Sequence, residues 1–439
     1  MTSRARLLLL PLAAGCTGDP PAGGDSGVGE AAGFAGFSGQ EIALVEALGP
    51  LPPLPPDPTN AWANDADAAW FGRYLFYEPR LSGPGTFSCA TCHDPAQGWG
   101  DGLRLSEAAG TTTRHAPTLW NVGHQRWFYW DGRCDSLWCQ AISPIEAEAE
   151  MAGSRLQVAH TLHDDPALRD AYAALFGPLP DLSDGSRFPD AGRPVPDDPT
   201  HPHAVAWASM APADQDAVTE VMVHVAKAIG AFERTIQTGE SRVDRYVAAF
   251  VDRDEAAMAA ALSAEEEEGL RHFVSDGNCF FCHAGPLGSN REFASAGLGH
   301  RDWLPLEDLG RYGGIDGLRA AEFNAASAWS DDPAGEAANR IDRLNQSSEQ
   351  LGLFKVPGLR NVADSPPYMH GGHLETLTDV VGHYNRLDEE VIVGHLDTFM
   401  VPLEWTEADI ASVVAFLEAW SAEPLDPSVL EAPDAPLPR

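Results

Sequence analysis

The sequence predicts an all-α chain with long irregular loops, and three observations predict it. Apolar residues recur at the helical period: between 214 and 236, Val218, Val221, Met222, Val225, Ile229 and Phe232 share one face. Helix-start signals precede two further apolar runs. Ser263 with Glu266 comes before Leu270 and Phe273, stopping near Gly277; Thr406 with Asp409 comes before Ile410, Val413, Val414, Leu417 and Trp420. Alternating, strand-like runs are scarce.

In chain order, residues 1–15 read as an export signal, with Arg4 and Arg6 followed by Leu7–Leu10 and small residues. Leu12-Ala13-Ala14-Gly15-Cys16 resembles the bacterial lipobox, whose cysteine carries lipid; an ordinary signal with an incidental cysteine is the competing reading. The expectation is a periplasmic protein, lipid-anchored to the membrane through Cys16. Residues 16–59, which include Pro50-Leu51-Pro52-Pro53-Leu54-Pro55-Pro56, read as a Gly/Pro-rich tether. Two folded units are expected, 60–245 and 246–424, followed by a tail at 425–439. Within them, 178–202 is a Pro/Asp-rich loop and 285–351 is long and irregular. Loops of that length need something to wrap around, which a cofactor would supply.

Lys and Arg number 28 against 65 Asp and Glu, for a formal charge of −37 in 439 residues. That balance excludes nucleic acid as the main partner, because phosphate contacts need clustered cations. The acidity serves either solubility or the steering of a basic partner. Only two lysines occur, Lys227 and Lys355. No uninterrupted apolar run reaches spanning length.

The seven cysteines carry the chemistry. Cys89-Ala90-Thr91-Cys92-His93 and Cys279-Phe280-Phe281-Cys282-His283 both read Cys-x-x-Cys-His. In this pattern the two thiols form thioethers to haem vinyl groups and the adjacent histidine supplies an axial imidazole. A zinc site would want four ligands at paired spacing, and a thioredoxin-type motif lacks the trailing histidine. Two covalently bound haem c groups are therefore expected, on Cys89, Cys92, Cys279 and Cys282, with His93 and His283 as iron ligands. With Cys16 as the anchor, Cys134 and Cys139 remain. An exported chain favours a disulfide between them; two buried thiols are the other reading. An i, i+5 pair lies about 140° apart on an ideal helix, so a bridge requires a turn there.

Arg80-Leu81-Ser82, Gly85-Thr86-Phe87-Ser88-Cys89, Trp130-Asp131-Gly132-Arg133, 355–361 and Pro367-Tyr368-Met369-His370-Gly371-Gly372 resemble the bacterial di-haem cytochrome c peroxidases and their MauG-like relatives. The resemblance spans about 60–422. It implies two cytochrome c-like haem domains, a peroxidatic one at 60–245 and an electron-transfer one at 246–424. It also implies Trp130 as a relay between haems, and Gln140 and Glu150 on the open side of the first haem, with Pro144 between them. A carboxylate near an open iron can move the proton that peroxide cleavage requires. On composition alone, Glu150 reads as one of a solvated acidic run with Glu146 and Glu148.

Two departures from the family pattern matter. Leu103-Arg104-Leu105-Ser106-Glu107 lacks the histidine that blocks the first iron in typical peroxidases, so the first haem is expected to be five-coordinate or water-bound. Fourteen residues after His370, where that branch has an axial methionine, stands Tyr384, as in MauG-like enzymes. Leu377, Val380, Val381 and Tyr384 share one helical face while His383 points elsewhere. Tyr384 reads as a core tyrosine from its pattern and as the second iron's ligand from the resemblance; Met369 and Met400 are the thioether alternatives. The resemblance also implies a calcium ion near Ser365 and Pro367, with His115 where the family has a side-chain oxygen, and imidazole is a poor calcium ligand.

The function implied is reduction of hydrogen peroxide with electrons from a small redox protein, a cytochrome c or a copper protein. The alternative is MauG-like oxidation of a residue on a partner protein, and a third is plain electron carriage. Gln140 and Glu150 speak against a carrier.

Overall fold

The computed structural model describes residues 33–305 and 307–437, so the signal at 1–15 and Cys16 lie outside them. Two helical units each enclose a hydrophobic core, and the only sheet among the described residues pairs Phe293–Ala294 with Phe354–Lys355. In the first unit, helix Ala66–Phe76 crosses helix Pro212–Glu233, with Leu137–Glu146 packed alongside. A Cβ at Gly72 would stand 1.8 Å from the Ala228 carbonyl, so only glycine admits this approach. The second unit repeats the device. Helix Ala264–Val274 crosses Glu407–Ala419, and a Cβ at Gly269 would lie 1.9 Å from the Ser412 carbonyl.

The expected helices stand with shifted ends. The helix read at 214–236 runs Pro212–Glu233, because proline suits a first turn whose N–H groups have no intrahelical partner. Ser263 and Thr406 are N-caps of complete capping boxes with Glu266 and Asp409.

The ends of the folded part require corrections. Within the expected tether at 16–59, Phe34–Leu48 is attached to the second unit, while Thr59 accepts from Trp138 Nε1 at 3.0 Å in the first. Ser38 caps helix Gly39–Ala47, and Phe37, Val45 and Leu48 are buried in the second core. The 245/246 boundary falls inside helix Arg242–Asp252, whose Val243 and Tyr246 already belong to that core. Asp244 there forms a buried pair with Arg360 at 2.6 Å, so the second unit begins near Ser241. The described part of the tail expected at 425–439, up to 437, returns to the first unit: Val429 enters its core and the Glu431 carbonyl accepts from Arg73 Nε at 2.7 Å. Each end of the described residues thus laces onto the unit distant from it in sequence.

The loop at 285–351 holds helices Arg311–Ala320 and Glu336–Arg343 and wraps over the first unit. Phe323 enters the first core, Glu322 meets Arg155, and Asp331 meets Lys227. Protein surface, as well as any cofactor, organises it. Among the described residues no helix is long and apolar enough to cross a membrane.

Candidate haem-binding and peroxide site

Both Cys-x-x-Cys-His segments begin as a tight helical turn that ends in the histidine. Cys89–Cys92 leads to His93, and Cys279–Phe281 leads to Cys282 and His283. His93 Nδ1 donates to the Trp99 carbonyl at 3.0 Å, and His283 Nδ1 donates to the Gly288 carbonyl at 2.8 Å. Each ring is thereby fixed in the tautomer that leaves Nε2 free, as metal-bound imidazoles require. Burial holds both imidazoles below the usual histidine range, which keeps them neutral and able to bind iron. The four motif thiols are free of disulfides. No three His, Cys, Asp or Glu side chains converge as a metal-binding group among the described residues. That arrangement fits a haem, whose ring nitrogens supply the remaining donors, and does not fit zinc.

Each histidine faces a cavity. The first, about 460 Å³, is lined by His93, Tyr129, Trp130, Arg133, Gln140 and Glu150, among others. The second, about 190 Å³, is lined by Cys279, Cys282, His283, Tyr384 and Met400, and again by Trp130. Trp130 therefore belongs to the wall of both. Its indole N–H donates to the His115 carbonyl at 2.8 Å, and its own carbonyl accepts the Lys355 N–H at 2.7 Å.

The units also share their local chain path around the cavities. An isolated bridge closes Phe128 on Cys134 in one and Tyr368 on Leu374 in the other. Tyr129 and Met369, Gly132 and Gly372, and Asn121 and Asn361 all take positive φ. Helices Leu137–Glu146 and Leu377–Arg386 begin at the same distance from these loops, so Pro144 and Tyr384 occupy equivalent positions. Proline offers no donor atom to an iron, and tyrosine does.

Two haem-type cavities on repeated helical units, joined by one tryptophan, define a bounded set of relatives. Residues 66–251 match the di-haem cytochrome c peroxidase family. The cytochrome-c peroxidase IdrP1 of Denitromonas iodatirespirans is 30% identical over 372 residues, covering 82% of this chain and 83% of that protein. The methylamine utilization protein MauG of Methylorubrum extorquens is 31% identical over 355 residues, covering 80% and 78%. The chain belongs to the di-haem cytochrome c peroxidase family. The crystal structure of the diheme peroxidase BthA from Burkholderia thailandensis E264 superposes with a TM-score of 0.60 at 22% identity, covering 88% of this chain and 92% of that one. At that identity the likeness concerns the fold.

In this di-haem peroxidase the acidic run divides by partner. Glu146 pairs with the buried Arg155 at 2.9 Å and Glu148 pairs with Arg193, whereas Glu150 lines the first cavity. Burial raises the Glu150 carboxyl above its usual range, and Arg133 opposes that shift. The solvated-run reading fails because the chain turns at 147–153, and its bonds from Gly153 N–H to the Ile145 carbonyl and from Ala109 N–H to the Glu150 carbonyl turn that side chain inward.

His115 lies near His93, whose ring also bonds the Pro117 backbone, and its Nδ1 donates to the Leu103 carbonyl at 2.7 Å. His93 and His115 are the only histidines lining the first cavity among the described residues. Tyr384 lines the second cavity, and burial raises its phenol further above the ordinary value. Met369 and Met400 line the same cavity; His383 instead bonds the Ala296 carbonyl at 2.8 Å.

Cys134 and Cys139 form a disulfide with a Cα–Cα distance of 5.8 Å. The pair straddles the Ser136 cap, with Cys134 in the loop and Cys139 in the first helical turn, which supplies the turn a five-residue spacing needs. Ser365, Pro367 and His115 do line one cavity of about 70 Å³. Its lining has no carboxylate, its unpaired amide oxygen is Gln125 Oε1, and Lys355 shares it.

Three side chains in these walls carried no role in the sequence reading. Tyr129 donates from its hydroxyl to the Gln140 carbonyl at 3.1 Å, and the Arg133 guanidinium lies 3.5 Å over its ring. Their adjacency to Trp130 was the available signal. Lys355 was marked by scarcity, as one of two lysines, and as the first residue of the 355–361 segment, but with no role.

Proposed function

We infer that the chain is a di-haem c-type peroxidase that reduces hydrogen peroxide in the first cavity with electrons delivered through the second. The observation carrying this is the asymmetry of the two cavities across Trp130: the first holds Gln140, Glu150 and Arg133, and the second holds Tyr384. Bound haem would supply an iron that accepts peroxide and passes electrons. Peroxide reduction needs one oxygen to lose a proton and the other to gain it; Glu150 is the group that holds and returns that proton. Gln140 orients the substrate, and Arg133 sits where negative charge develops. The electron donor is a small redox protein such as a cytochrome c or a copper protein.

MauG-like oxidation of a residue on a partner protein is the second reading, and Tyr384 favours it. A phenolate ligand favours the higher oxidation states of iron. Mixing ferric protein with peroxide, then with reduced cytochrome c, separates the two. Rapid donor oxidation supports the peroxidase; a long-lived oxidised state indifferent to the donor supports the second. EPR showing two bis-histidine low-spin haems at rest would sink the open first site.

The proposal extends to location. The lipobox-like Leu12–Cys16 run and thioether haem attachment support a periplasmic protein anchored through Cys16. Detergent-phase partitioning of the expressed full chain tests it: C16S should move to the aqueous phase, and an unchanged partition would discard the anchor.

A further inference from the structure

Lys355 lines the first cavity, the second cavity and the small cavity between them. Its backbone is fixed twice, by pairing opposite Phe293 in the two-stranded sheet and by its N–H bond to the Trp130 carbonyl at 2.7 Å. Neighbouring side chains on a strand point to opposite faces, so Phe354 packs on the His370 ring while Lys355 turns the other way. The residue is 9% exposed. Among the described residues its Nζ has no hydrogen-bond or ion-pair partner, and burial alone pushes the ammonium down to about 8.

The other lysine shows what the fold does when it buries an ammonium for itself. Lys227 Nζ lies 2.8 Å from Asp331 and 2.9 Å from the Trp329 carbonyl. Among the described residues no acidic side chain is paired with Lys355, in a chain that holds 65 Asp and Glu. The acids nearest the wall are committed elsewhere. Asp131 is held by Arg114 and Arg133, Asp308 by Arg114, and the charge acting on Glu150 is that of Arg133. A cation that lines these cavities and has no partner from the described polypeptide is placed to pair with a group that enters them.

We propose that Lys355 is the shared counter-ion for the propionate carboxylates of both haems, a positioning residue that ties the two cofactors to the wall carrying Trp130. The inference rests on reading both cavities as haem sites. A haem c brings carboxylates that thioether attachment leaves free, and a cation lining both cavities can meet one from each side. One positive charge near both irons favours the less positive, reduced state of each, so its removal lowers both reduction potentials.

The test uses equilibrium redox titration of the purified holoprotein, followed by optical spectra, on wild type, K355Q and K355R, after counting haems by mass and pyridine haemochrome. In K355Q the reduced-to-oxidised ratio of each haem at fixed potential should fall at least threefold, about 28 mV for one electron. K355R should stay within twofold of wild type. A two-haem K355Q with either haem unshifted overturns the sharing, and both unshifted overturns the role altogether. If K355Q loses haem, retention in K355R with wild-type potentials supports the charge requirement, and loss in K355R as well counts against it. Fewer than two haems in wild type would fail the haem reading itself, separately from Lys355.

Discussion

Replacing Glu150 by Gln keeps the volume of the side chain in the first cavity and removes its capacity to exchange a proton. A positioned acid–base group contributes about 10²–10⁴-fold. Gln140 and Arg133 remain in the cavity, so the expected loss lies in the lower half of that range, about 10²–10³-fold, or roughly 3–4 kcal/mol of barrier. The sign of the pH effect follows from burial, which raises the Glu150 carboxyl. Accepting a proton from peroxide requires the carboxylate, so the wild-type rate falls as pH drops through that raised value, and E150Q loses the inflection. Stopped-flow mixing of ferric protein with peroxide, at pH 4–8, reads both. E148Q is the control, since Glu148 is paired with Arg193 outside the cavity. An E150Q rate within threefold of wild type, with the same pH profile, would refute the acid–base assignment.

Tyr384→Phe should alter the optical and EPR spectra of the second haem and leave the first unchanged; an unaltered spectrum discards Tyr384 as a ligand. Replacing both Cys134 and Cys139 by Ala should cost about 2 kcal/mol for so short a closed loop, read as a lower denaturant midpoint. A midpoint unchanged by the double substitution would remove the staple from the account. Glu233 is fully enclosed, and burial pushes its carboxyl up to about 8 from the ordinary 4.5. Its folded state prefers the neutral form, so that stability is whole below about 4.5 and is lost as pH rises toward and through 8. Glu233→Gln should flatten the decline of melting temperature across that interval, and an identical decline would exclude Glu233 as its source.

Legibility varied with how local the determining physics is. The haem motifs were legible because thioether attachment and axial ligation fall within five consecutive residues. Helices with capping boxes were legible because Ser263 with Glu266 and Thr406 with Asp409 satisfy backbone donors three residues away. The tether was misread because Pro-rich composition describes the unfolded tendency of 50–56 and says nothing of Phe37 and Val45, which find apolar partners in the second unit. The 245/246 boundary failed for the same reason: the Asp244–Arg360 pair joins residues 116 apart.

Glu150 shows the same divide inside the site. Its neighbours Glu146 and Glu148 are chemically alike, and only their distant partners, Arg155 and Arg193, separate them from it. By itself the sequence pointed to a helical di-haem protein with two Cys-x-x-Cys-His motifs, because those patterns are set by short spacings. The family resemblance implied places for Trp130 and Glu150, and the tertiary structure supplied their geometry, with Trp130 in the wall of both cavities and Glu150 in that of the first; only the tertiary structure showed Lys355 lining both with no partner among the described residues. Burial and charge pairing are properties of residues brought together from across the chain, and no local spacing records them.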